Sequence, residues 1–267
     1  EAAAVIIHPE TGYMEAVYGG TVASPYDFSR ATQAKRQAGS AFKPLVYALA
    51  FSRRDALGQP QWNATDTVGN ELKVFENAQG WSPRNVTGRY SETTTLAEAL
   101  TRSQNVATVN LLEESGGPLS LISFAKHAGF DTTHFTEELG LALGQAEVTP
   151  LEMAQFVAML ANGGVQVFGQ PVVSALDLKG KQRVDEEPLG PRILTEEAAA
   201  LTRDLLRLAV AYGTGGTIRG AAGQYGFRGP AFGKTGTTDD YKDLWFVGAS
   251  PHQAASLWMG YDIPQDL

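Results

Sequence analysis

The chain contains no cysteine. Disulfides, thiol catalysis and cysteine-ligated zinc are thereby excluded, and the absence suits an oxidising compartment. The four histidines (His8, His127, His134 and His252) lack metal-ligand spacing, so neither a metal nor any other cofactor is expected. Basic residues are sparse: 21 Lys and Arg stand against 29 Asp and Glu, for a net charge of −8. With no dense basic run, nucleic-acid binding is disfavoured. No stretch is apolar for long enough to span a bilayer. The chain opens at Glu1-Ala2-Ala3-Ala4, without Met or a basic, apolar signal segment. It therefore reads as an excised domain, from which an anchor or an export signal could have been removed. Repeats and low-complexity tracts are also missing. The 267 residues, 43% apolar and 19% charged, suffice for one large domain or two intimate lobes.

Punctuation along the chain predicts the element order. Ala3–His8 and Tyr13–Tyr18 read as a hairpin about the turn Pro9-Glu10-Thr11-Gly12. A helix is expected from Ser40 to Phe51. Residues 62–90, rich in Asn, Gly, Thr and Trp, read as one long loop. Leu96–Leu112 reads as a helix interrupted near Ser103. Thr149-Pro150-Leu151-Glu152 has the N-cap, N1 proline and N3 glutamate of a capping box. Asn162-Gly163-Gly164 then stops that helix. Thr195 caps another helix, which Gly213 ends. Val172–Leu178 reads as a strand with a turn at Gly180. Leu244–Ala249 and Ala254–Tyr261 read as strands around Ser250-Pro251-His252. Strands at both ends with helices between them argue α+β: one antiparallel sheet from the two chain ends, flanked by helices, with a helical lobe inserted.

Chemistry concentrates in three short motifs. In Ser40-Ala41-Phe42-Lys43 the serine and lysine share a helix face. Pro44 is tolerated only near a helix start, so Ser40 falls in the first turn, where free N–H groups favour a developing alkoxide. Serine needs a base, and an ordinary lysine, with a pKa of about 10.4, serves only if desolvated or set beside another cation. The apolar run Leu45-Val46-Tyr47-Ala48-Leu49 supplies the first condition, and Lys234 is a candidate for the second. In Ser103-Gln104-Asn105 a hydroxyl and an amide can reach one cleft, as proton relay and as anchor for an ammonium or a substrate amide. In Lys234-Thr235-Gly236 with Thr237, an edge strand offers charge and hydroxyls to a carboxylate. Gly236 keeps the cleft floor open. Backbone N–H groups of Ser40 and Thr237 are candidates for an oxyanion hole, a contact typically worth about 3 to 4 kcal/mol of barrier.

Taken singly, each motif also has a bland explanation. Ser40 fits a helix cap with a solvated Lys43, and Ser103 and Asn105 fit a helix interruption. A P-loop is one residue short at Gly229–Thr235 and has Arg at 228. Asn63-Ala64-Thr65 and Asn85-Val86-Thr87 match a weak glycosylation pattern. Trp62, Trp81 and Tyr90 suit packing better than a cleft lining. Gly213–Gly220 reads as a helix end and loop.

Together, and in this order, the three motifs resemble the S-x-x-K, S-x-N and K-T-G set of penicillin-recognising serine enzymes. The stretches Arg36–Pro44, Leu96–Asn110, Leu141–Gly164 and Gly233–Thr238 with Asp243–Gly248 extend the resemblance to the transpeptidase domain of class A penicillin-binding proteins across nearly the whole chain. The resemblance implies a β-lactamase/D,D-peptidase-like fold over residues 1–267 and peptidoglycan cross-linking on the extracytoplasmic face of a bacterial membrane. Ser40 would attack the penultimate D-Ala carbonyl of a stem peptide and expel the terminal D-Ala. The amine of a neighbouring stem would resolve the acyl-enzyme. β-Lactams would acylate Ser40 and leave slowly. Lys43 would be base, Ser103 relay and Asn105 substrate anchor. Lys234, Thr235, Gly236 and Thr237 would form the carboxylate site. Other cell-wall synthesis proteins would be partners.

The middle motif reads S-Q-N rather than S-D-N. The family's N-terminal glycosyltransferase domain and membrane anchor are missing from the chain, as is its usual C-terminal segment, which would leave one sheet face poorly covered. Three rivals stand beside this reading. A β-lactamase would need a glutamate to activate water, with Glu147, Glu152, Glu186 and Glu187 as candidates. A D,D-carboxypeptidase would differ only in its acceptor. A non-catalytic β-lactam sensor or scaffold domain would acylate without peptide turnover, or not acylate at all.

Overall fold

The two chain ends meet in one antiparallel sheet. In the computed structural model, which describes residues 1–20, 28–75, 80–182, 189–216, 226–238 and 241–267, β1 (Ala2–Ile7) buries Ala3, Val5 and Ile7 on one face and leaves the alternate residues half-exposed. That period-two pattern marks a strand with one buried face. β2 (Met14–Tyr18) pairs with it as the expected hairpin. The chain then runs through β3 (Arg36–Gln37), a 3-10 turn over Gly39–Phe42 and α1 (Lys43–Ser52). Next come β4 (Thr67–Asn70), β5 (Ser91–Thr95), α2 (Leu96–Thr101), α3 (Asn105–Glu114) and α4 (Gly117–His127). A second 3-10 turn, Leu139–Leu143, leads to β6 (Glu147–Val148), α5 (Pro150–Ala161), β7 (Val165–Val167), β8 (Leu189–Arg192) and α6 (Glu196–Tyr212). The chain closes with β9 (Phe232–Thr237), β10 (Asp243–Ala249) and β11 (Ala254–Gly260). The main sheet has the order β2-β1-β11-β10-β9, which leaves β9 on an open edge. The α+β expectation holds.

Helix α1 is the hub of the core. Every residue from Lys43 to Phe51 is buried, so it is apolar all round except for one lysine. Helix α5 lies against β1, β10 and β11 on the buried face of the sheet. Its start has the expected capping box: Thr149 Oγ1 accepts from Glu152 N, and Glu152 Oε2 accepts from Thr149 N. Thr195 caps α6 in the same sense. The opposite sheet face carries Leu257 and Met259, 46% and 52% exposed, beside half-exposed Leu244 and Phe246.

Three expectations need correction. The α-helix begins at Lys43 rather than Ser40, because Gly39–Phe42 coil more tightly as a 3-10 turn. Residues 62–90 are not one loop: Thr67–Asn70 forms β4, paired with β5. Val172–Leu178 is no strand. It makes a single bridge, Leu176 to Gln182, around the turn at Gly180, and its apolar side chains are exposed. Of the Gly213–Gly220 loop only residues 213–216 are described, and Glu186 and Glu187 lie outside the described residues.

Candidate active site

The 3-10 turn decides where Ser40 and Lys43 go. With three residues per turn, side chains at i and i+3 eclipse, so Ser40 and Lys43 leave the backbone on one side. Ser40 is partly exposed between buried Gly39 and Ala41. By position its N–H belongs to the orphan first turn. Gly39 has φ +51, and its N–H donates to Gly144 O at 3.2 Å. A Cβ at Gly39 would lie 2.6 Å from Thr237 O. A side chain at 39 would therefore push the nucleophile turn off β9.

Lys43 is fully buried, and its amine reaches Ser103 between α2 and α3. Nζ donates to Ser103 O at 2.7 Å, Ser103 Oγ at 3.2 Å and Asn105 Oδ1 at 2.6 Å. Ser103 adopts φ +57, a left-handed conformation uncommon outside glycine. Strain of this kind tends to be kept at functional sites. Here the conformation lets both the carbonyl and the hydroxyl of Ser103 meet Lys43. Burial, and then the charge of Lys234, push the Lys43 pKa well below the ordinary lysine range.

Lys234 sits on the edge strand β9 with its side chain turned inward, 1% exposed. Nζ donates to Thr235 O at 2.9 Å and to Thr214 Oγ1 at 3.4 Å. Burial lowers its pKa to about 7. Thr235 and Thr237 alternate to the opposite face of β9 and are half-exposed and exposed. Thr237 stands opposite Leu244, and Thr238 N donates to Asp243 O. In an antiparallel ladder this register turns the N–H and C=O of Thr237 away from β10, towards the open edge. Gly236 faces the nucleophile turn, where a Cβ would lie 2.8 Å from the Ala41 Cβ. Ser40, Lys43, Ser103, Asn105, Lys234 and Gly236 thus come together between β9 and the α2–α3 junction, Thr237 meets the nucleophile turn through its backbone, and the Thr235 and Thr237 side chains lie on the other face of the strand.

Sequence reasoning missed two groups. Asn85, read within a glycosylation pattern, is 4% exposed and braces the cleft. Its Oδ1 accepts from Asn105 N at 2.7 Å and Val106 N at 3.1 Å, capping α3 from a distant loop. Its Nδ2 donates to Asn70 Oδ1 and Arg89 O, both at 2.9 Å. The neighbouring Arg84 O accepts from Asn105 Nδ2 at 2.7 Å. Asn85→Ala should therefore loosen Asn105 and destabilise the fold by about 1–2 kcal/mol, the usual cost of losing a cap. Urea denaturation checks this, and a midpoint like that of the wild type would remove Asn85 from the support of the site. The second group is Thr214, whose only sequence signal is its place in a glycine-rich segment.

The glutamates proposed to activate water are unequal. Glu152 commits Oε2 to Thr149 and Oε1 to Asp131 N at 2.7 Å, so it is structural. Glu147 is exposed on β6, opposite Gln37. Among the described residues no helix is long and apolar enough to cross a membrane.

This geometry, an edge strand with a buried lysine facing a serine–lysine turn and a second serine, is the arrangement expected of the S-x-x-K, S-x-N and K-T-G set. The model of the penicillin-binding protein transpeptidase domain matches residues 2–266, and the chain belongs to that family. It is 33% identical over 277 residues to penicillin-binding protein 1A of Neisseria meningitidis, covering 100% of the chain and 33% of that protein. The chain thus spans about a third of the length of the curated relatives it matches. The crystal structure of penicillin-binding protein 1A from Haemophilus influenzae superposes with a TM-score of 0.84 at 25% identity, covering 98% of this chain and 43% of that one. PonA1 of Mycobacterium tuberculosis in complex with penicillin V superposes with a TM-score of 0.80 at 25% identity, covering 99% and 71%.

Proposed function

We propose that the chain is a serine D,D-transpeptidase that acts through a Ser40 acyl-enzyme. The observation that carries this reading is the buried Lys43 amine held between Ser103 and Asn105, one helical turn from Ser40. A neutral Lys43 takes the Ser40 hydroxyl proton as the Oγ–carbon bond forms at the penultimate D-Ala carbonyl. The oxyanion is met by the N–H groups of Ser40 and Thr237. Ser103, in contact with Lys43, passes the proton to the departing D-Ala nitrogen as the C–N bond breaks. An acceptor amine then attacks the ester, loses a proton to the same relay and releases Ser40. Asn105 anchors the donor amide. Lys234, Thr235 and Thr237 hold the terminal carboxylate, with Gly236 leaving room for the backbone. A β-lactam enters the same cycle, but its leaving nitrogen stays tethered in the adduct.

The 267 residues are read as one transpeptidase domain of two lobes, part of a longer protein with a glycosyltransferase domain and an N-terminal membrane anchor. Such a protein works on the extracytoplasmic face, on peptidoglycan stem peptides and among other cell-wall synthesis proteins.

Intact-protein mass after incubation with benzylpenicillin tests the reading. The expected result is a long-lived adduct of one penicillin per chain. An adduct that forms and vanishes within seconds would make the protein a β-lactamase. No adduct on folded protein would overturn the acyl-enzyme.

A further inference from the structure

The oxyanion gap is walled mainly by backbone, with the small Ala41 methyl set against Gly236. On one wall stand Ala38, Gly39 and Ser40, and on the other Gly236 and Thr237. These walls meet backbone to backbone, with glycine on both sides. Their spacing is held from outside, at the Asp243 carboxylate and at the Trp245 indole. Asp243 is 5% exposed. Its Oδ1 accepts from Arg36 Nε at 2.8 Å and from Trp258 Nε1 at 2.8 Å. Thr238 Oγ1 lies 3.5 Å from Asp243 Oδ2 and accepts from Asp243 N at 2.9 Å. Arg36 leads into the nucleophile turn, and Thr238 directly follows Thr237. The Arg36 guanidinium also stacks over the Trp258 ring at 5.2 Å and donates from Nη1 to Asp262 O at 3.3 Å. One residue further on, Trp245 Nε1 donates to Gln37 O at 2.9 Å.

From this geometry we infer that Arg36 and Asp243 are positioning residues that set the distance between the two oxyanion donors, the N–H groups of Ser40 and Thr237. The inference rests on the acyl-enzyme reading above. Both side chains are nearly buried, 12% and 8% exposed, so water cannot stand in for either partner. Losing the carboxylate charge frees Arg36 on the nucleophile wall, while Thr238 on the other keeps its bonds to the Asp243 backbone and loses only the 3.5 Å contact with Oδ2. Neither residue touches substrate. A donor shifted by a fraction of an ångström weakens the transition state far more than the ground state.

The test is stopped-flow acylation by a chromogenic cephalosporin, which separates the noncovalent Kd from the acylation rate k2. For Asp243→Asn the expected result is a 10- to 100-fold loss in k2 with Kd within about threefold. Arg36→Met should match it, and the double variant should be no slower than either single variant, because all three break one link. Trp258→Phe, which removes one donor and keeps the ring, is the milder probe should Asp243→Asn fail to fold, and it should lower k2 at least threefold. Folded variants with unchanged k2, losses confined to Kd, or fully multiplicative losses in the double variant would overturn the inference. Wild type that forms no adduct at all would instead overturn the acyl-enzyme reading.

Discussion

Ser40→Ala should form no covalent adduct with benzylpenicillin at any time point, while circular dichroism and melting stay close to those of the wild type. The attacking oxygen is gone, and among the described residues no hydrogen bond depends on it. Ser40 is partly exposed in a turn held by backbone bonds of its neighbours, including Gly39 N to Gly144 O and Ala41 N to Ala38 O. Losing one such hydroxyl changes stability by about 0.5 kcal/mol or less. The variant is informative because a second hydroxyl is at hand. Ser103 Oγ lies 3.2 Å from Lys43 Nζ and has the same potential base. Were Ser103 the nucleophile, Ser40→Ala would still be labelled, and peptide mapping would find the penicillin on residue 103. That result would exchange the roles of the two serines.

Lys43→Ala should slow acylation by about 10²- to 10⁴-fold, the usual contribution of a positioned general base. It should also change the pH dependence. In the wild type, acylation efficiency should trace a bell. The rising limb follows loss of the Lys43 proton, displaced below the ordinary lysine range first by burial and then by the charge of Lys234. The falling limb follows loss of the Lys234 charge that a substrate carboxylate needs, near pH 7 because burial disfavours that ammonium. Without Lys43 the rising limb should disappear and the falling limb remain. Rates measured from pH 5 to 9 on wild type and variant decide the matter. A rising limb that survives Lys43→Ala would place the base elsewhere.

Much of this was legible from local signals. The Thr149–Glu152 capping box, the interruption of the helix at Ser103 and the hairpins at both chain ends are each fixed by residues a few positions apart, and each forms. The three motifs converge because the fold brings together residues 40, 103 and 234, which spacing alone could only suggest. What stayed hidden depends on distant partners or weak patterns. Asn85 caps a helix twenty residues away, and no local periodicity announces such a contact. Arg36 and Asp243 are 207 positions apart. Strand β4 is four residues long with one large apolar side chain, too little for an alternation. In Val172–Leu178 the apolar residues suggested a strand, but they face solvent, and tertiary context outweighed propensity. The 3-10 turn at Ser40 differs from an α-helix only in its hydrogen-bond step, which composition does not encode.

The second buried lysine has a thermodynamic side. An unfolded chain keeps the Lys234 proton up to about pH 10.5, whereas the folded chain releases it near 7. Across that window the unfolded state binds more protons, so folding stability rises with pH, by an amount approaching roughly 5 kcal/mol for this one group. Below pH 7 the penalty is present in full. The Lys234 site, proposed above to take a carboxylate, is therefore a weak point of the fold, and an anion that keeps Lys234 charged removes part of that weakness. Occupancy of the cleft and global stability are one linked equilibrium, so the protein should be hardest to unfold when its site is filled.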